Sequence, residues 1–219
     1  MALPEMFSTG FSMEADRVSE PSGGETETFL REIAKEFSSC FLGGVAVRAE
    51  NGSIQNQALV LAPDGALLAR YSKQRLFSPG EEDKHYVPGD QVVTFTWSGI
   101  QVAPMICYDL RFPELFRRAT AQCRPELFVL IANWLTKRIH HWGRLLQARA
   151  IENQSYVLAV NRVGSDPFVE YPGHSLVIDP HGEILGQGGS KPECLHAALD
   201  IAALRKYREG LPFLADLRP

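Results

Sequence analysis

Residues 104–114 read Pro104-Met105-Ile106-Cys107-Tyr108-Asp109-Leu110-Arg111-Phe112-Pro113-Glu114, an apolar run that turns charged. Ile100, Val102, Ala103, Met105 and Ile106 form the pattern of a buried strand. Arg111 and Glu114 cannot sit in an apolar interior without partners, and they are expected to brace the turn. Pro113 suits the first turn of a helix, where its missing N–H costs little. Cys107 therefore falls where a strand ends and the chain turns, close to backbone N–H groups without ladder partners. Such a cysteine is either a small buried core residue or a nucleophile. The second role needs an activating neighbour from elsewhere in the chain.

Working outward, 219 residues fit one domain, assigned here to 1–219. An apolar share of 45% and a charged share of 22% are those of a globular protein with a sizeable core. A net charge of -4, with no dense Lys/Arg cluster, argues against a nucleic-acid partner. No apolar run reaches the roughly 18 residues of a membrane span, and the first residues lack a signal-peptide pattern. Cys40, Cys107, Cys123 and Cys194 form no CxxC pair. Neither a disulfide framework nor a zinc site is indicated, and a cytoplasmic setting with reduced thiols is expected.

Residues 1–24 read as loop. A helix over 25–37 carries Phe29, Leu30, Ile33, Ala34 and Phe37 at helical spacing. Strands are expected over 41–49, 57–62 and 66–71, the last two joined by the turn Pro63-Asp64-Gly65. Residues 77–90 form a polar loop. Strands over 92–97 and 100–106 lead to the cysteine and a helix over 112–121. A doubly covered strand over 128–132 precedes a helix over 139–153, with Trp142, Leu145, Leu146 and Ala150 inward. The strand 156–160, a polar loop 164–173 and a hairpin turning at Asp179-Pro180-His181-Gly182 follow. A last core strand over 195–199 and a short helix over 201–208 end the pattern. Buried strands alternating with helices, flanked by hairpins, indicate an α/β layered domain with mixed sheets.

None of the histidines at 85, 140, 141, 174, 181 and 196 stands out as a base for Cys107. His140-His141 suggests paired ligands, yet adjacent residues leave a helix on different sides, so no metal is expected. Lys73 follows a strand and Glu5 follows Leu3-Pro4; each alone fits a solvated surface charge as well as a site residue. Arg149 and Glu152, three apart on one helix, fit a structural ion pair.

Taken together, Leu3–Phe11 around Glu5, Tyr71–Phe77 around Lys73 and Cys107–Glu114 resemble the three motifs of the nitrilase superfamily of carbon–nitrogen hydrolases. The similarity continues through Ala132-Asn133-Trp134, 149–153, 161–164 and 204–208. Within the superfamily the chain is most similar to the bacterial omega-amidases. The resemblance implies a four-layer α-β-β-α sandwich that pairs as a homodimer or larger oligomer, with no metal and no cofactor. It implies that Glu5, Lys73 and Cys107 are catalytic. Glu5 would be general base and Lys73, with the Tyr108 N–H, would stabilise an oxyanion. Glu82 would support the lysine, while Glu81 would be solvated. The implied reaction releases ammonia from a small omega-amide of a 2-oxo dicarboxylic acid, such as 2-oxoglutaramate or 2-oxosuccinamate, through a cysteine thioester. Asn133, Trp134, Arg111 and Arg162 are the candidates for the substrate pocket. A nitrile or N-carbamoyl hydrolase, or a non-catalytic paralogue, are the alternatives.

Two departures stand out. The family carries about 30 residues before its first motif, forming a strand, a helix and a second strand. An N-terminally truncated sandwich is thus expected, with an exposed sheet edge, no strand holding Glu5, and little activity in this chain alone. Trp134 is followed by Leu135, where the most similar sequences carry proline.

Overall fold

The computed structural model describes residues 1–218; Pro219, the last residue of the domain assigned from sequence, lies outside them. The elements run α1 (Ala15–Val18), β1 (Glu20–Pro21), α2 (Glu25–Glu36), β2 (Phe41–Arg48), β3 (Ile54–Leu61) and β4 (Leu67–Ser72). Next come β5 (Phe95–Trp97), β6 (Ile100–Ile106), α3 (Pro113–Cys123), β7 (Leu127–Ala132), α4 (Ile139–Asn153) and β8 (Tyr156–Asn161). The chain ends with β9 (Val163–Ser165), β10 (Glu170–Pro172), β11 (Leu176–Ile178), β12 (Ile184–Gln187) and α5 (Ile201–Gly210).

Two sheets carry the architecture, in the orders β1-β2-β3-β4 and β12-β11-β8-β7-β6-β5. Strand alternation sorts the apolar side chains into layers. Phe41, Val45, Val47, Leu59 and Leu61 pack outward against Leu30 and Ala34 of α2. Leu42, Ala58, Val60, Ala69 and Tyr71 join the core that the six-stranded sheet shares. That sheet's other residues meet Phe116 and Ala119 of α3 and Trp142, Leu146 and Ala150 of α4. The result is the α-β-β-α sandwich expected from the family resemblance. All of β7 is buried, as a strand covered on both faces must be.

Strands β6, β7 and β8 run parallel, with Ile106 beside Ile131 and Ala132 beside Asn161. Their carboxyl ends therefore open on one edge, where parallel sheets commonly place their ligands. Cys107 and Asn133 follow directly from two of these ends.

Several sequence expectations need correction. Residues 1–24 are not all loop. Leu3 donates to Leu42, Gly44 donates to Pro4 and Phe7 donates to Gly44, so the N-terminal segment lies along the outer side of β2. Further on, β1 pairs parallel with Val47 and Arg48. Together they cover parts of the edge expected to be exposed, and they hold Glu5. The loop 164–173 contains the β9–β10 hairpin. No strand forms over 195–199: Leu199 packs on the core, but the ladder ends at β12 and Asp200 bonds to the Tyr156 hydroxyl. The inner stripe of α2 is Thr26, Glu27, Leu30 and Ala34, while Phe29 and Phe37 are 46% and 61% exposed. Glu27 tolerates the inward position because Arg70, Arg31 and the Gly23 N–H satisfy it. Among the described residues no helix is long and apolar enough to cross a membrane.

Candidate active site

Glu5, Lys73 and Glu82, distant in sequence, meet as one buried cluster. Lys73 Nζ lies 2.9 Å from Glu5 Oε1 and 3.0 and 2.8 Å from the two oxygens of Glu82. All three side chains are fully buried. Asn56, on β3, donates to both carboxylates, at 2.7 Å to Glu5 and 2.9 Å to Glu82. The Phe77 N–H donates to Glu82 at 2.6 Å. Glu5 Oε2 takes the Asn133 N–H at 2.9 Å, and the Asn133 amide also donates to the Glu5 carbonyl at 2.8 Å. Glu5 is thus anchored to both sheets. Gly44 makes this possible: a Cβ there would stand 2.5 Å from Met6 N and 2.6 Å from Glu5 Cα. Only a glycine lets the two backbones pass so closely.

The electrostatics follow from this packing. Burial pushes the Glu5 carboxyl up, but the Lys73 ammonium, Asn56 and the Asn133 N–H outweigh it and hold it below the usual range. Burial pushes Lys73 down, and Glu5 and Glu82 reverse this, so the lysine stays protonated. The Cys107 thiol is pushed well above its ordinary value, first by burial and then by the Glu5 charge, with Glu82 adding to it. Lys73 and the Asn133 N–H oppose that shift without overcoming it. The group is thus an ammonium paired with two carboxylates, beside a neutral thiol.

Cys107 stands at the end of β6 with φ of 44°, a left-handed conformation rare outside glycine. It begins a 3-10 helix, Cys107–Arg111, whose first N–H groups, including that of Tyr108, have no intrahelical partner. Asp109 fixes this turn. Its carboxylate is fully buried and accepts from the Ile106 N–H at 3.0 Å, the Tyr71 hydroxyl at 2.8 Å, and the Gln74 and Arg75 N–H groups at 3.2 and 2.9 Å. One side chain therefore couples the backbone around Cys107 to the backbone beyond Lys73. Burial pushes its carboxyl up to about 6, even against these donors. Asp109, rather than Arg111 and Glu114, braces this turn. The sign was present: a carboxylate three residues past a strand end is placed to bond back to the backbone N–H there.

Above the cluster lies a cavity of about 400 Å³, lined by Glu5, Cys107, Tyr108, Asn133, Trp134 and Leu135 among others. Arg111 and Arg138 reach the same cavity. Arg111 lies over the Trp134 ring at 4.8 Å, and Arg138 over the Phe77 ring at 5.0 Å. Neither has a carboxylate partner among the described residues. Arg111 is thus a pocket residue rather than a brace, and Glu114 pairs at the surface with Arg75 at 3.4 Å. Arg162, the remaining pocket candidate, does not line the cavity: it lies behind Tyr171, 4.4 Å from that ring. Tyr171 and Asp166, bonded at 2.8 Å, also line the cavity, from the β9–β10 hairpin. Arg138, Tyr171 and Asn56 were not legible as site residues; nothing in their spacing separates them from ordinary surface or core positions. Arg149 pairs with Glu152 at 3.1 Å as expected, and also donates to the Leu110 carbonyl beneath the cysteine turn. Glu81 is exposed and pairs with Lys84.

Comparison with known proteins agrees with this geometry. The carbon–nitrogen hydrolase family profile matches residues 1–209. Omega-amidase YafV of Escherichia coli K12 is 39% identical over 218 residues, covering 99% of this chain and 83% of its own. The 2-oxoglutaramate amidase of Bacillus subtilis is 33% identical over 219 residues, 100% of this chain and 84% of its own. A carbon–nitrogen hydrolase from Xanthomonas campestris, solved with an arsenic adduct in its active site, superposes with a TM-score of 0.93. It is 37% identical and covers 100% of this chain and 84% of its own. The chain belongs to the carbon–nitrogen hydrolase family, within the nitrilase superfamily.

Proposed function

We propose that this protein is an omega-amidase, releasing ammonia from the terminal amide of a small 2-oxo dicarboxylic acid such as 2-oxosuccinamate or 2-oxoglutaramate. The observation that carries the substrate class is the pair Arg111 and Arg138. They are two cations without carboxylate partners among the described residues, in the cavity that Cys107 and Glu5 line. A substrate carboxylate supplies the missing partner, and guanidinium groups suit it by geometry as well as charge. Relatives named for this activity support the assignment.

In the mechanism, Glu5 takes the Cys107 proton as the sulfur attacks the amide carbon. The carbonyl oxygen becomes an oxyanion stabilised by Lys73 and the Tyr108 N–H. Glu5 returns its proton to the departing nitrogen, the C–N bond breaks, and ammonia leaves a thioester on Cys107. Water then gives its proton to Glu5 and attacks the thioester carbon. The collapsing intermediate expels the sulfur, which recovers the proton, and the carboxylic acid is released. Glu82 acts through Lys73 by holding it charged and in place. We further propose a single hydrolase domain, working in the cytoplasm as a homodimer or larger oligomer on small-molecule substrates.

The test is ammonia release from 2-oxosuccinamate by the 219-residue chain. Because the N-terminal segment is fastened to β2 and holds Glu5, contrary to the expectation from sequence, turnover is expected in the parent, with none in Cys107→Ser. A rise in KM of about 10- to 100-fold in Arg138→Ala is expected from the loss of a charged hydrogen bond. Turnover of nitriles or N-carbamoyl compounds with none of 2-oxosuccinamate would refute the assignment.

A further inference from the structure

The histidine pair at the start of α4 has no part in the mechanism above, yet one member touches Arg111, which lines the pocket. His141 Nδ1 lies 3.2 Å from Arg111 Nη2. A guanidinium offers only donors, so Nδ1 accepts and the ring proton sits on Nε2. His140 packs edge-on against the His141 ring, with centroids 4.1 Å apart. Arg111 is therefore held on two sides, by the Trp134 face at 4.8 Å and by His141. This fixes the plane of the guanidinium and leaves its other N–H groups for a ligand in the cavity.

We infer that His141 is a positioning residue for substrate binding: as a neutral acceptor it orients the Arg111 guanidinium toward the carboxylate of the substrate. It does not touch the reacting atoms. The inference rests on the omega-amidase assignment, because it requires a substrate with a carboxylate for Arg111 to hold. The surroundings keep the ring neutral. Slight desolvation, His140 and the cations of Arg111, Arg138 and Arg144 all disfavour the imidazolium. These are the charged groups that face His141 from its own helix, from the cysteine turn and from the short helix Thr136–Arg138. A long flexible arginine with one fixed contact loses less freedom on binding, so the gain appears in ground-state affinity. Lysine at 111 could not make the same two-sided fit.

Steady-state kinetics on 2-oxosuccinamate test this with the full chain and the variants His141→Ala and His141→Asn. His141→Ala is expected to raise KM about tenfold, equivalent to about 1.4 kcal/mol, with kcat within about twofold of the parent. His141→Asn places an amide oxygen where Nδ1 stood and is expected to restore KM to within about threefold. Melting curves of both variants are expected to overlay the parent's, since His141 sits partly exposed at a helix start. An unchanged KM in His141→Ala, a loss confined to kcat, or an asparagine variant as impaired as alanine would overturn the inference and leave the amidase assignment standing. A parent enzyme that binds and turns over no carboxylate-bearing amide would overturn both.

Discussion

Glu82→Gln separates the two things that the buried cluster does. The Glu82 carboxylate accepts from Lys73 at 3.0 and 2.8 Å, from Asn56 at 2.9 Å and from the Phe77 N–H at 2.6 Å. Every partner is a donor. Glutamine keeps the shape but replaces one oxygen with an NH₂ group that also donates, so at least one partner is left facing a donor. Two charge-assisted bonds weaken or vanish, at about 1.5–3 kcal/mol each. The total of about 3–6 kcal/mol matches the roughly 3–5 kcal/mol of breaking a buried ion pair on one side. For a chain of this size each kcal/mol moves Tm by about 2–4 °C, so a fall on the order of 10 °C is expected. The same change removes a negative charge that pushes the Cys107 thiol up. The pH profile of alkylation by iodoacetamide should therefore shift to lower pH, even as kcat falls about 10²- to 10³-fold with the loosening of Lys73. A less active enzyme with a more acidic thiol is not what general damage to the site would give. A Tm within about 2 °C of the parent would refute the cluster as a single network. An alkylation profile that stays or moves upward would refute the electrostatic account of Cys107.

Three more outcomes follow from the same geometry. In Gly44→Ala the new methyl meets Met6 N and Glu5 Cα; kcat should drop sharply at a stability cost of about 1–3 kcal/mol, while peptide mapping after alkylation still shows Cys107 modified. In Asp109→Asn an NH₂ faces backbone donors; at pH 7.5 Tm should fall by several degrees and kcat with it, and an unchanged kcat would show that the cysteine turn needs no such tie. Part of that fall is offset, because the parent's Asp109, with its carboxyl pushed up to about 6, carries a burial penalty above that pH which asparagine lacks. Finally, Glu5 is held low in the folded chain; its contribution to stability is complete above the unfolded carboxylate pKa and is lost as pH falls through the folded one. Glu27, Glu126 and Asp166 act in the same direction. Melting in buffers from pH 6 to 3 should show a steep acid limb that is shallower in Glu5→Gln.

The layers of the fold were legible because burial writes a period into sequence. Leu127–Ala132 is apolar throughout and is covered on both faces. The turns at Gly65 and Gly182, both at positive φ, were legible from residue chemistry alone. The strand expected over 195–199 failed for the complementary reason: an apolar run shows what is buried but not whether its backbone finds a ladder. The N-terminal segment misled in the opposite sense. Ala2–Met6 carries no strand pattern, yet its backbone bonds to Leu42 and Gly44 fasten Glu5. That register depends on the absent side chain of Gly44, which no periodicity reveals. In the site, Glu5, Lys73, Glu82 and Cys107 came from motif resemblance and meet as a cluster. Asn56 and Arg138 lie in stretches where a structural polar residue reads the same as a functional one.

The charge count of the cluster explains why its resting thiol is neutral. Glu5 and Glu82 against Lys73 leave one net negative charge in a buried site. Ionising Cys107 by loss of its proton to solvent would make two, without water to screen them. Passing the proton to Glu5 keeps the total at one. In the proposed acylation the sulfur bonds to carbon as Glu5 becomes neutral, and the oxyanion forms beside Lys73 with Glu82 still charged. The sum is again one negative charge. The reaction therefore moves charge within the cluster without changing its amount, and a thiolate never has to be held against Glu5 and Glu82 together. A cysteine made reactive by a lowered pKa would face every electrophile that entered the cavity. In the proposed mechanism the thiol becomes a nucleophile only as its proton passes to Glu5, a carboxylate already fixed by Asn56, Lys73 and Asn133. The fixed network, more than thiol acidity, sets its reactivity.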